Sequence, residues 1–101
     1  MIKKIILLSL FSSLLLSSEM SGKKVFETYC WGCHHQTAVA FGPPFSEIAD
    51  KRSGDEIQAY ILEPKAMYKA FGYKRTVMTQ LTLTDQEIKS ITDYILSYKG
   101  K

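Results

Sequence analysis

Cysteine is nearly missing from this chain: there are two in 101 residues, and both fall in the run Cys30-Trp31-Gly32-Cys33-His34. Histidine is as scarce, and its 2 copies, His34 and His35, adjoin each other and Cys33. These shortages exclude a good deal. A structural zinc site wants a tetrahedral set of Cys and His ligands, and with no second Cys pair and no distant His such closure is implausible. A disulfide between Cys30 and Cys33 would close a tiny loop and contribute little. Runs of alternating strand residues are missing as well, so the βαβ pattern that surrounds Cys-x-x-Cys in thiol oxidoreductases is not there. No internal repeat and no low-complexity linker interrupts the chain.

The first 18 residues read as a secretory signal. Lys3 and Lys4 form a basic start, residues 5–16 are an apolar run interrupted only by serine, and Ser17 and Ser18 supply small residues for cleavage. The run is short for a spanning helix, which needs roughly 20 apolar residues; the competing reading is a retained single anchor. No Cys lies near the cleavage region, which argues against a lipoprotein. The expected domains are therefore a signal peptide at 1–18 and one functional domain at 19–101, exported across one membrane. About 80 residues make one small domain, which usually needs a metal, disulfide or cofactor as a staple. Removing Lys3 and Lys4 from the 13 basic residues leaves 11 against 10 acidic ones. The basicity of the whole chain thus carries no nucleic-acid message.

Helical signals dominate what remains. Ser21 can cap a first helix over about residues 23–30, with Val25, Phe26 and Tyr29 at helical spacing. Ser53-Gly54-Asp55-Glu56 is a capping box that opens a second helix carrying Ile57, Tyr60 and Ile61 on one face and stopping before Pro64. Thr84-Asp85-Gln86-Glu87 opens a third, with Ile88, Ile91, Tyr94, Ile95 and Tyr98 at i, i+3, i+4 spacing, fraying at Gly100. Residues 45–50 suit a short helical turn. The expected domain is all-α, with long loops wrapping something.

What they wrap is indicated by the five-residue run. Two thiols three positions apart with an imidazole directly after is the attachment pattern for c-type haem. Each sulfur adds to one haem vinyl group, and His34 can then swing under the ring to ligate iron. On these residues, and on Gly22 and Phe26 four apart ahead of them, Gly42-Pro43-Pro44-Phe45 after them and Ile91 with Tyr94 in the last helix, the chain resembles a small class I cytochrome c over nearly all of its exported length. The resemblance implies that fold: three main helices and loops around one covalent haem c. It implies that Gly22 lets the last helix cross close by, and that the Pro43 carbonyl accepts a hydrogen bond from His34, fixing the ligand's orientation. It places the sixth ligand on a loop before the last helix, which suits Met78 rather than Met67. Thr79 follows Met78 where the family very often has Pro. Met67, beside Ala66 and Tyr68, reads as a gap-filling side chain.

The stretch 65–75 holds Lys65, Lys69, Lys74 and Arg75 and no acid, together with Tyr68, Phe71 and Tyr73. Arg75 and Tyr73 are candidate hydrogen-bond donors to haem carboxylates. The lysines are alternatively a docking ring for an acidic redox partner, or ordinary solvated side chains. His35 reads as a surface or loop-capping residue, Trp31 as packing at the haem edge, and Phe41, Phe45 and Ile48 as core lining the His34 side.

The expectation is a non-enzymatic periplasmic carrier of one electron in respiratory electron transport of a Gram-negative bacterium. Cys30, Cys33 and His34 hold the haem, with Met78 as the other iron ligand and Pro43, Tyr73 and Arg75 around them. The alternatives are an electron-accepting subunit of a larger periplasmic dehydrogenase, of the sulfite dehydrogenase type for example, or a haem protein with an open sixth site that binds small ligands. Partners are expected to be redox proteins, not nucleic acid, and membrane insertion is expected only if the signal is retained. The chain is expected to be a monomer or a small subunit of an enzyme complex.

Overall fold

The computed structural model describes residues 20–101, and the expected signal peptide lies outside them. Five α-helical segments follow in order: α1 Gly22–Val25, which continues as a π-helical turn Phe26–Cys30, then α2 Phe45–Lys51, α3 Gly54–Leu62, α4 Pro64–Met67 and α5 Asp85–Leu96. No strand occurs among the described residues, and no helix there is long and apolar enough to cross a membrane.

The caps are where the sequence signals put them. The Ser21 hydroxyl accepts from the Lys24 N–H at 3.3 Å. Both capping boxes are closed in each direction, Ser53 with Glu56 and Thr84 with Glu87, each cap contributing about 0.5–2 kcal/mol. The Ser53 backbone N–H holds the Glu56 carboxyl below its usual range. A lowered value favours the ionised form, so this cap is fully present above the ordinary carboxylate range and is lost as pH falls through the lowered value.

Two local features depart from the expected helices. The first helix is regular for one turn only; the Trp31 N–H then donates to the Phe26 carbonyl, five residues back, at 2.9 Å. Thr28 explains part of the widening, since its hydroxyl donates to the Lys24 carbonyl at 2.7 Å, a back-bond that bends helices. Tyr29 is consequently exposed rather than in the core. Pro64, expected only as a stop, also starts α4, because a residue with no N–H and a fixed φ suits the first helical position.

The core consists of Val25 and Phe26, Phe45 and Ala49 from α2, Ile57 and Ile61 from α3, and Ile88, Ile91 and Ile95 from α5. The buried face of α5 repeats at i, i+3, i+4 and i+7 because 3.6 residues per turn bring those positions into one stripe. α1 and α5 pack against each other at Gly22. A methyl group on Gly22 would meet the Ser90 carbonyl oxygen and lie 2.7 Å from the Tyr94 Cβ. Gly22→Ala is expected to force the two helices apart and destabilise the folded chain by about 1–3 kcal/mol, read as a lower midpoint in guanidinium denaturation; an unchanged midpoint would show that the crossing tolerates a side chain.

Candidate functional site

Between α2, α3, α5 and the segment 71–83 lies a cavity of about 410 Å³, within the ~300–1,000 Å³ typical of ligand sites. Its walls are largely apolar: Phe45, Ile48, Ile57, Ile61, Leu81, Leu83, Ile91 and Ile95 all contribute. Cys30, Cys33, His34, Pro43, Tyr73, Arg75 and Met78, the residues singled out in the sequence, line this same cavity. Met67, in α4, does not.

His34 is the most firmly placed of them. Its backbone N–H donates to the Cys30 carbonyl at 2.9 Å, and the Cys33 carbonyl accepts from the Gly42 N–H at 2.7 Å. Farther along, the N–H groups of Phe45 and Ser46 donate to the carbonyls of His35 and Gln36, both at 3.0 Å. These bonds cinch the loop so that Pro43 returns beside the imidazole. His34 Nδ1 lies 2.7 Å from the Pro43 carbonyl oxygen. A carbonyl only accepts, so Nδ1 carries the proton and Nε2 is left with the lone pair. The ring also stacks on Phe45, centroids 5.7 Å apart. Gly42 makes room for this: a Cβ there would strike the imidazole Cε1 and come within 2.8 Å of Nδ1.

The two sulfurs differ. Cys33 is exposed and Cys30 is half-buried. Burial, with Cys33 alongside as a second cause, pushes the Cys30 thiol up to about 11.

Met78 reaches the cavity from the non-helical segment before α5. Tyr60 on α3 donates its phenol proton to Thr76 Oγ1 at 3.1 Å, and the same oxygen accepts from the Met78 N–H at 3.3 Å. Thr76 thus turns the chain into Met78 and ties it to α3. Neither Tyr60 nor Thr76 was legible as a site residue, since a hydroxyl pair 16 positions apart has no sequence period.

Arg52 was missed as well. It sits between α2 and α3 on the cavity wall. Its Nη2 donates to the Phe71 carbonyl at 2.7 Å, and its guanidinium carbon lies 4.4 Å from the Phe71 ring centroid. Its Nε is buried without a partner. An unpaired buried donor on a cation is costly, and it is the kind of group an anionic carboxylate satisfies. Arg75 and Tyr73 also line the cavity but are exposed.

Two placements correct the sequence reading. Phe41 is not core: it is 91 % exposed at the rim of the cavity, because the Gly42–Cys33 bond holds the loop's apex outside α2. Trp31 does not line the cavity; it is exposed and meets the His35 ring edge-on at 6.1 Å. His35 itself is half-buried and serves the loop through its backbone carbonyl.

The residues present fit a covalently held haem. The cavity supplies apolar walls, Cys30 and Cys33 supply two sulfurs, His34 supplies an oriented lone pair, and Arg52, half-buried and 3.8 Å from Glu56, supplies a buried Nε donor that is unused. Among the described residues no group of three or more His, Cys, Asp and Glu side chains could hold a bare metal ion instead.

Comparison with curated proteins and with solved structures returned no match. Residues 20–99, a span that takes in every helix described above, match the family described as cytochrome c; the chain belongs to that family, has its all-α fold, and binds haem c covalently at Cys30 and Cys33.

Proposed function

We propose that this cytochrome c is a periplasmic one-electron carrier whose haem iron is held by His34 and Met78. Membership of the family supports the haem-based electron-transfer role. The observation that carries the ligand pair is that Met78 lines the cavity with His34 while Met67 lies outside it.

Bound there, haem supplies a one-electron couple at iron. The chain's own residues orient and shield it. Pro43 and Phe45 keep the His34 lone pair in one direction, so no ligand reorientation accompanies a change of charge. The Thr76–Tyr60 bond keeps the Met78 thioether at the wall, where a soft sulfur ligand raises the potential and fills the coordination shell. Arg52 would hold a haem carboxylate on its free Nε, with Tyr73 and Arg75 nearer solvent as further donors. Export rests on the signal expected at 1–18. Partners are redox proteins.

Spectroscopy of the oxidised protein tests the ligand pair. The methionine-to-iron charge-transfer band is expected in the native chain, absent in Met78→Ala and kept in Met67→Ala, with the midpoint potential falling only in the former. A band that survives Met78→Ala would overturn the assignment. Its absence from the native protein would favour an open sixth site.

A further inference from the structure

Charge is distributed unevenly around the cavity mouth. Residues 28–46 contain no Asp, Glu, Lys or Arg, and neither do residues 76–84. Both stretches border the cavity, the first contributing Tyr29, Phe41 and Phe45 and the second Val77, Met78 and Leu81. On them stand most of the large apolar side chains left in solvent: Trp31 at 59 %, Val39 at 83 %, Phe41 at 91 % and Val77 at 85 % exposure. Single exposed apolar residues need no explanation, whereas several on uncharged stretches that border a functional cavity do. A filled cavity covers part of Phe41 and Val77, but Trp31 and Val39 do not line it and stay in water.

We infer that this charge-free rim is a docking face for a protein electron-transfer partner whose own contact surface is apolar and uncharged. The inference rests on the carrier reading above and gives that reading its partner chemistry. Docked centres of this kind are depleted in charge and rich in aromatic side chains. An acidic partner surface pressed here would lose its hydration and meet no counter-charge within the two stretches; Arg75, exposed beside them, is engaged by a haem carboxylate in the reading above, so the contact is a net cost. Lys65, Lys69 and Lys74, the cations of the basic stretch that do not line the cavity, therefore have little part in the encounter.

A second copy of the chain presents the same face, so electron self-exchange between oxidised and reduced haem-loaded protein is the probe. It is measured by NMR line broadening between low and high NaCl. The expected rate changes less than about twofold across that range, as fits encounter without charge steering. Val39→Asp places like charges opposite each other and is expected to slow exchange about tenfold at low salt, with recovery at high salt. The lysine variant Lys65→Gln, Lys69→Gln, Lys74→Gln is expected to change it less than about twofold. A native rate that climbs steeply with salt, or a lysine variant that alters the rate more than Val39→Asp does, would overturn the inference. So would a stable dimer in sedimentation or co-flotation with phosphatidylcholine vesicles, which would give the face to a permanent second copy or to a lipid surface. A chain lacking haem mass or reversible one-electron reduction would remove the carrier reading with it. A haem-loaded, reversibly reduced protein indifferent to Val39→Asp would remove the docking face alone.

Discussion

Cys30→Ala with Cys33→Ala is expected to yield a chain with no covalent haem mass and a far-UV circular dichroism spectrum that has lost most of its helical signal. The first half follows from the chemistry, because no other sulfur of the cavity wall except the Met78 thioether is present and a thioether cannot add to a vinyl group. The second half follows from magnitude. Leaving a cavity of about 410 Å³ unfilled costs on the order of 10 kcal/mol at ~24 cal/mol per Å³. Partial collapse and entry of water through the open mouth reduce that figure. Even half of it is comparable with the whole stability of a small domain, about 5–15 kcal/mol. The helices are also too short to persist without packing, since isolated helices under ~12–15 residues are marginal in water. A double variant that keeps native helicity would show that Val25, Phe26, Phe45 and the isoleucines of α3 and α5 form a sufficient core by themselves.

Gly42→Ala is expected to weaken the His34–iron bond without removing any ligand. The added methyl would collide with the imidazole, turning it away from the Pro43 carbonyl 2.7 Å from Nδ1. Loss of such an outer partner typically costs about 10–100-fold in metal affinity. Protons compete with iron for the His34 lone pair, and a weaker bond lets the proton win at higher pH. Acid titration of the low-spin absorption of the haem-loaded protein should therefore show its midpoint moved up by about 1–2 pH units. Gly32→Ala is the control: a Cβ there meets nothing within 4 Å, and its midpoint should match the native one. Equal midpoints for all three proteins would mean that the ring has room the structure does not show.

The parts of the fold that were legible are those whose cause is local. Ser53 with Glu56, and Thr84 with Glu87, are four-residue signals satisfied by their own backbone. The stripe Ile88, Ile91, Ile95 depends on helix period alone. The attachment residues were legible because their chemistry ties Cys30, Cys33 and His34 into one short run, and Gly42-Pro43 because the resemblance implied such a pair after it. What escaped depends on tertiary juxtaposition. Arg52 became notable only when Phe71, 19 positions away, turned its carbonyl toward it and left Nε unused. Phe41 looked like core because it is apolar, yet apolarity without a period does not say which side of a loop a residue occupies. The irregular turn before Cys30 needed a Thr hydroxyl acting on a neighbouring turn, and Thr28 has no sequence mark that sets it apart from a solvated side chain.

That turn limits how far the attachment run can be moved. Between Phe26 and Cys30 the backbone winds wider than an α-helix, with the Cys30 thiol 4.0 Å from the Val25 carbonyl. A regular helix advances about 100° per residue, so grafting the run onto an uninterrupted scaffold, or deleting one residue such as Thr28, would rotate the leading sulfur to a different side while Phe26 kept its anchorage. Portability of the motif thus depends on carrying its preceding irregularity along with it.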